Sequence, residues 1–338
     1  MGKNKISFLL YGVTIISIVI PKSVLAVNLL TIITTLSMIN TLLAQTPKFK
    51  ANVEQVVVYA TVHDSLGQLV SNLQQNDFNL FENKILQNIT YFGLDDIPST
   101  IGIVMDNSGS MRGKKHLVDK ATQLFLETNN PANELFLLAF NSKVRIDENF
   151  TRDIEDIQDS LFNQMVGGGT ELYDAIFLAV DHASHGSEPK KIVIVFTDGE
   201  EKDSYYTLEE VVEKVEESFV QVFLIALLSQ DLSDDRGLFG VFRSKRDKVS
   251  KSMVNIAEST GGKAYFPKQA TELKEIFKEI GYELRTQYRL AFVSNIKEKV
   301  NENGWRSLQV ELVNAQQRGL RVRARAGYYR KGASNSAH

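Results

Sequence analysis

The feature that most limits what this chain can become is Ile101-Gly102-Ile103-Val104-Met105 running directly into Asp106-Asn107-Ser108-Gly109-Ser110-Met111. An unbroken apolar run closed by a polar, glycine-containing stretch reads as a strand covered on both faces that opens into a loop. Leu117, Ala121, Leu124 and Phe125 follow at helical spacing, so the local order is strand, loop, helix. One carboxylate and two hydroxyls are thereby presented together at the carboxyl end of a central strand. Short oxygen-bearing side chains at alternate positions suit a hard divalent cation, which needs oxygen ligands close together. The same residues also make an ordinary polar turn with a helix cap, and this stretch alone does not separate the two readings.

Two distant segments favour the cation. Val166-Gly167-Gly168-Gly169-Thr170-Glu171-Leu172 sets a threonine hydroxyl where a glycine-rich loop enters a helix. Lys191-Ile192-Val193-Ile194-Val195-Phe196-Thr197-Asp198-Gly199 is a second apolar strand that ends in a carboxylate. In an open parallel sheet, sites form outside the strand ends where the winding reverses, so three oxygen-bearing loops belong on one rim. With these residues in view, the chain resembles the von Willebrand factor type A domain and its metal-ion-dependent adhesion site. That site combines D-x-S-x-S, a threonine and a T-D-G aspartate, and Asp106, Ser108, Ser110, Thr170 and Asp198 fill the five positions. The resemblance implies a bound Mg²⁺, with Mn²⁺ or Ca²⁺ as substitutes because sequence does not set cavity size. Glu171 and Asp174, in the first turn of the next helix, are candidates for the rim only.

Between Ser99 and Arg285 strand and helix patterns alternate, as a doubly wound α/β domain requires. Strands are expected at Glu134 to Phe140, Lys143 to Ile146, Lys190 to Thr197, Val220 to Leu228 and Lys263 to Phe266. A final helix carries Leu273, Ile276, Phe277, Ile280 and Leu284 on one face. Outside this region the pattern is β. Val56, Val58, Ala60 and Val62 alternate in one strand, and Asp77 to Phe81 with Ile85 to Phe92 reads as a hairpin about Glu82-Asn83-Lys84. So few strands make a poor core alone. Gln287 to Ser294, Ser307 to Val313 and Leu320 to Ala326 supply matching material from the other end. The expected architecture is a mostly parallel, Rossmann-like α/β sheet over residues 98–286. It is inserted into a smaller β-sandwich-like domain whose halves are residues 50–97 and 287–330; two separate β appendages are the alternative. The Thr260 to Pro267 segment, the last helix and the Arg321 to Tyr329 stretch also resemble a bacterial branch of exported proteins related to the same family.

The amino terminus has Lys3 and Lys5, then Ile6 to Ile20 almost wholly apolar, and a second apolar stretch from Val24 to Ala44. The first reads as a signal-peptide core with a small-residue cleavage site at Val24-Leu25-Ala26, and the second is long enough to cross a bilayer. Residues 1–44 are therefore a signal peptide or a membrane anchor. Cleavage near Ala26 keeps an anchor, and cleavage near Gln45 releases the protein, so secreted, periplasmic and outward-facing membrane-anchored forms all fit. With 338 residues and a net charge of −3, nothing advertises nucleic acid. The absence of cysteine excludes disulfides and thiolate chemistry without fixing a compartment.

Other chemistries fit less well. No G-x-S-x-G elbow surrounds Ser108 or Ser110, and Gly109 to Lys115 lacks the spacing and the hydroxyl of a phosphate loop. A Mg²⁺-dependent phosphoryl hydrolase built on Asp106 remains the enzymatic alternative, although such sites add a second aspartate and a lysine. A structural envelope protein is the third class. His182 and His185 lack a third ligand and read as helix-end residues. The alternating Arg321, Arg323 and Arg325 read as a solvated basic face. Gly237 to Phe242 is an apolar cluster in the otherwise charged Gln230 to Lys248 loop, suited to packing on the domain or to a partner. Asn88-Ile89-Thr90 and Asn149-Phe150-Thr151 fit a glycosylation pattern that matters only in a glycosylating host. The leading expectation is a non-enzymatic interaction or adhesion module. Its metal would bind a Glu or Asp side chain of a protein partner.

Overall fold

Ser99–Asp106 (β5) forms the centre of a six-stranded sheet, and every one of its residues is buried. In the computed structural model, residues 5–6, 18–19, 55–94, 96–228, 239–296 and 304–330 are described. The chain divides into two units, Met1–Val53 and Glu54–His338. In the first, Lys5–Ile6 pairs antiparallel with Ile18–Val19. The expected cleavage sites and the second apolar stretch lie outside the described residues. No described helix is long and apolar enough to cross a membrane.

In the second unit, five strands precede or enter the large sheet: Gln55–His63 (β1), Phe78–Glu82 (β2), Ile85–Gln87 (β3), Ile89–Gly93 (β4) and β5. Lys115–Glu127 (α1), Glu134–Phe140 (β6), Val144–Thr151 (β7), Ile154–Phe162 (α2) and Leu172–Ser184 (α3) follow. Next come Lys190–Thr197 (β8), Leu208–Glu217 (α4), Val220–Ala226 (β9), Phe239–Ser259 (α5), Ala264–Tyr265 (β10) and Leu273–Thr286 (α6). The large sheet runs β10-β9-β8-β5-β6-β7, parallel except for the antiparallel edge strand β7. From β5 the chain winds outward through β6 and β7, then returns to β8 on the other side. The switch point therefore lies between β5 and β8, where a parallel sheet opens a crevice at its carboxyl edge.

Apolar residues on both faces follow from that position. One face packs Ile101, Ile103 and Met105 against Val118, Phe125, Phe277 and Ile280 of α1 and α6. The other packs Val104, Val193 and Val195 against Ile176, Ala179 and Val180 of α3. Gly102 has no side chain because Phe136 of β6 fills the space: a Cβ there would lie 2.1 Å from the ring. The expected run from Lys143 to Ile146 is longer in the structure, reaching Thr151. The Gln230 to Lys248 segment is not all loop, since α5 begins at Phe239; residues 229–238 lie outside the described set.

The chain closes with Tyr288–Val293 (β11), Trp305–Leu312 (β12), Ala315–Arg318 (α7), Arg321–Ala324 (β13) and Gly327–Tyr329 (β14). These strands join β1 to β4 in two further sheets, ordered β13-β1-β11-β4 and β14-β12-β2-β3. Both sheets draw strands from both ends of the sequence, and Val58, Leu80, Tyr288, Leu290, Phe292 and Leu308 form one core between them. The single strand expected from Ile85 to Phe92 breaks at Asn88. β3 pairs with β2, whereas β4 pairs with β11 in the other sheet, a corner that lets one chain satisfy backbone groups in both layers.

The basic face of β13 is not simply solvated. Arg323 is held by Glu283, and Arg325 donates to the Glu216 and Ser218 carbonyls at 3.1 and 2.8 Å while lying over the Phe219 ring. These arginines join the β layers to the α/β layer, with Gln287 donating to both Thr61 and Gln221 beside them.

Candidate metal centre

Three loops at the carboxyl edge of β5, β6 and β8 are drawn together by their backbones. After β5, Asn107 N–H donates to the Phe140 carbonyl at 2.8 Å, and its own carbonyl accepts from Gly167 N–H at 2.8 Å. Gly109 N–H donates to Gly168 O at 3.3 Å. The loop after β8 joins through Lys202 N–H, which donates to Thr170 O at 3.2 Å. Two glycines are required by this geometry. Gly168 has φ +91° and Gly199 has φ +82°, a left-handed region where an L side chain is strained, and a Cβ on Gly199 would lie 2.5 Å from Leu228.

Within that frame Asp106, Ser108, Thr170 and Asp198 are buried, while Ser110 is exposed. Asp106 Oδ1 accepts from Ser108 N–H at 2.8 Å, and Oδ2 accepts from the Thr197 hydroxyl at 2.9 Å and Asp198 N–H at 3.4 Å. The Ser108 and Ser110 hydroxyl oxygens are 3.1 Å apart. Burial raises the Asp106 carboxyl above the ordinary carboxylate range; hydrogen bonds from Ser108 oppose this, and the Asp198 charge adds to it. Among the described residues no lysine or arginine pairs with Asp106. A buried carboxylate facing a second carboxylate, with two hydroxyls beside it, is an oxygen-only donor set that fits a hard divalent cation. Asp106, Ser108, Ser110, Thr170 and Asp198 are the residues that would hold it.

Three neighbours, Asp174, Glu201 and Ser204, have other tasks. The Asp174 carboxylate accepts from the Tyr205 and Tyr206 amides at 3.0 and 2.8 Å, which fixes the end of the β8 loop. Glu201 and Ser204 bind the free amides at the start of α3, with Tyr173 N–H donating to Glu201 Oε2 at 2.9 Å and Ser204 Oγ at 3.1 Å. The sequence gives Glu201 and Ser204 no role at the start of α3; the only signal for one is two acceptors in the loop after a strand-end aspartate. Glu171 is raised above the usual carboxylate range by burial and by the charges of Asp174, Asp203 and Glu201, so the rim is acidic. His182 stacks on Phe150 at 4.3 Å and meets Phe136 edge-on, and His185 Nδ1 lies against the Asp181 carbonyl. Both histidines are engaged in packing and helix-end contacts.

Solved structures similar to this chain include proximal thread matrix protein 1 from the mussel byssus, described with a zinc-occupied MIDAS motif. It has 15% identity over 60% of this chain and 50% of that one, with a TM-score of 0.46. This chain thus spans half the length of the mussel protein. A von Willebrand factor type A protein from Catenulispora acidiphila is 12% identical over 84% of this chain and 76% of its own, with a TM-score of 0.44. The conserved hypothetical protein BatB from Bacteroides thetaiotaomicron is 17% identical over 55% of this chain and 98% of its own, with a TM-score of 0.40. No curated protein matches. The family model described as the von Willebrand factor type A domain matches residues 101–201, a stretch that includes Asp106, Ser108, Ser110, Thr170 and Asp198.

Proposed function

We propose that this protein binds another protein outside the cytoplasm through a Mg²⁺ ion held by Asp106, Ser108, Ser110, Thr170 and Asp198, without turnover. The observation that carries the reading is the convergence of three loops on a buried Asp106 that has no cationic partner among the described residues. Three of the five donors are neutral hydroxyls, so the protein supplies at most two formal negative charges. A Mg²⁺ ion there stays electrophilic, keeps waters in its octahedral shell at about 2.0–2.1 Å, and exchanges one for a carboxylate oxygen from outside. The acidic rim at Glu171, Glu201 and Asp203 repels that same carboxylate when no ion is bound, which makes binding steeply cation-dependent.

The strands from both ends act as one orienting β unit, residues 50–97 with 287–330, that carries the α/β domain of residues 98–286. The apolar leader supports export. A Mg²⁺-dependent phosphoryl hydrolase is the competing class; Asp198 would give it a second metal-side carboxylate, and it needs in addition a general acid and a lysine at the metal. The test is pull-down from the native envelope with and without EDTA, repeated with Asp106→Ala. Partners captured only by the wild-type protein with Mg²⁺ support the reading. Partners that persist equally in all three conditions refute it, and Mg²⁺-dependent hydrolysis of phosphate esters assigns the site to an enzyme.

A further inference from the structure

Far in sequence from the three loops, the junction between α6 and β1 gathers a second set of ligand atoms. Glu279 and Glu283 lie four residues apart and so share one face of α6, and His63 ends β1 opposite them. One ring nitrogen of His63 and one oxygen from each glutamate all lie within 4.8 Å of one another.

Glu283 carries the argument. It is 0% exposed, and its two oxygens are treated very differently. Oε1 accepts from the Thr61 hydroxyl at 2.9 Å, from Gln287 Nε2 at 3.4 Å and from Arg323, whereas Oε2 is buried and has no partner among the described residues. His63 Nε2 is likewise buried without a partner. Leaving a buried carboxylate oxygen and a buried imidazole nitrogen unmet is costly, and both are electron-pair donors.

Arg323 and Lys263 already counter the two glutamates, Lys263 Nζ meeting Glu279 Oε1 at 2.6 Å. Net charge is thus not what the cluster lacks; it lacks an electrophilic partner for two buried lone pairs. The contacts on Glu283 Oε1 fix the carboxylate's orientation, as hydrogen bonds behind a metal ligand do.

We propose that His63, Glu279 and Glu283 form a second divalent-cation site, for a first-row ion of the zinc class. An imidazole with two carboxylates favours zinc over Mg²⁺, which prefers oxygen ligands alone. The ion joins α6 of the α/β layer to β1 of the β layers, so its role is to lock the two layers together.

The test is zinc titration of the full chain carrying Asp106→Ala, which silences the first site. One zinc per chain with a raised thermal midpoint is expected. Adding His63→Ala or, at a more exposed position, Glu279→Gln should weaken zinc binding at least tenfold while circular dichroism stays native. Co²⁺ in place of zinc should give visible absorption bands that Glu279→Gln removes. No zinc binding by the Asp106→Ala chain, or equal affinity in Asp106→Ala with and without the second substitutions, would overturn the proposal and leave a polar latch without an ion.

Discussion

Replacing Lys190 by Met should flatten the pH profile of stability between pH 7 and 9.5. Lys190 opens β8, is 3% exposed, donates to the Leu284 carbonyl at 2.6 Å and lies 5.1 Å from the Tyr59 ring centre. Burial pulls its ammonium from 10.5 down to about 7, against the charges of Glu283 and Asp96, which act to raise it. Between those two values the unfolded chain holds a proton that the native chain has released. Stability contributed by this residue therefore rises with pH across the window, and below about pH 7 the penalty is constant. At up to about 1.4 kcal/mol per pH unit, the wild type should gain about 3 kcal/mol on the Met variant from pH 7 to 9.5. Urea denaturation of both chains at half-unit steps measures this. Taking the difference removes tyrosines such as Tyr59, which burial pushes up to about 12 and which titrate alike in both chains. Parallel profiles would show that Lys190 is solvated in the native state and refute the reasoning.

Glu82 and Arg306 form a fully buried pair that Tyr328 and Ser294 join, so Glu82→Gln should cost about 3–5 kcal/mol in urea denaturation. A loss below about 1 kcal/mol would mean that Arg306 finds water or another acceptor. Gly102→Ala sets a Cβ 2.1 Å from Phe136 and should destabilise by about 1–3 kcal/mol, with recovery when Phe136→Leu is added; no recovery would place the strain elsewhere. Thr170→Ala should weaken Mg²⁺ binding in calorimetry without lowering the metal-free thermal midpoint, and unchanged affinity would remove it from the ligand set. Ending the chain at Gln287 removes β11 and β13, both neighbours of β1, so amide protection in β1 should vanish while β5 and β8 keep theirs. Protection of β1 that survives truncation would argue for two independent β segments.

The elements most legible in the sequence were those whose burial is two-sided or strictly periodic. The apolar runs of β5 and β8 admit little but central strands, and Leu273, Phe277 and Ile280 mark one buried face of α6. The three-loop cluster was legible because each loop follows such a strand or enters a helix. What escaped notice depends on partners far along the chain. Glu283 sits on the same helix among Ile280 and Leu284, and nothing local says that it is buried; its partner Thr61 is 222 positions away. Arg323 and Arg325 look like solvated charges until the carbonyls of Gly261, Glu216 and Ser218 are brought against them. Asn88 resembles any polar strand residue, and its corner follows only from having two sheets to serve.

The α/β region leaves the β layers through β4 and returns through β11, and these two strands are hydrogen-bonded neighbours, with Gly93 opposite Arg289. Its two ends are therefore tied at the base like a loop of rope closed by a clip. Tension applied between the outer ends of the β layers reaches the antiparallel β4–β11 ladder at the end where Ile89 faces Phe292, so it opens that ladder pair by pair and does not stretch the sheet that bears Asp106 until the ladder has parted. A pulling experiment should accordingly record rupture of the β layers first and extension of the α/β region only afterwards. The metal-bearing face would keep its geometry under a load that has already begun to open its support.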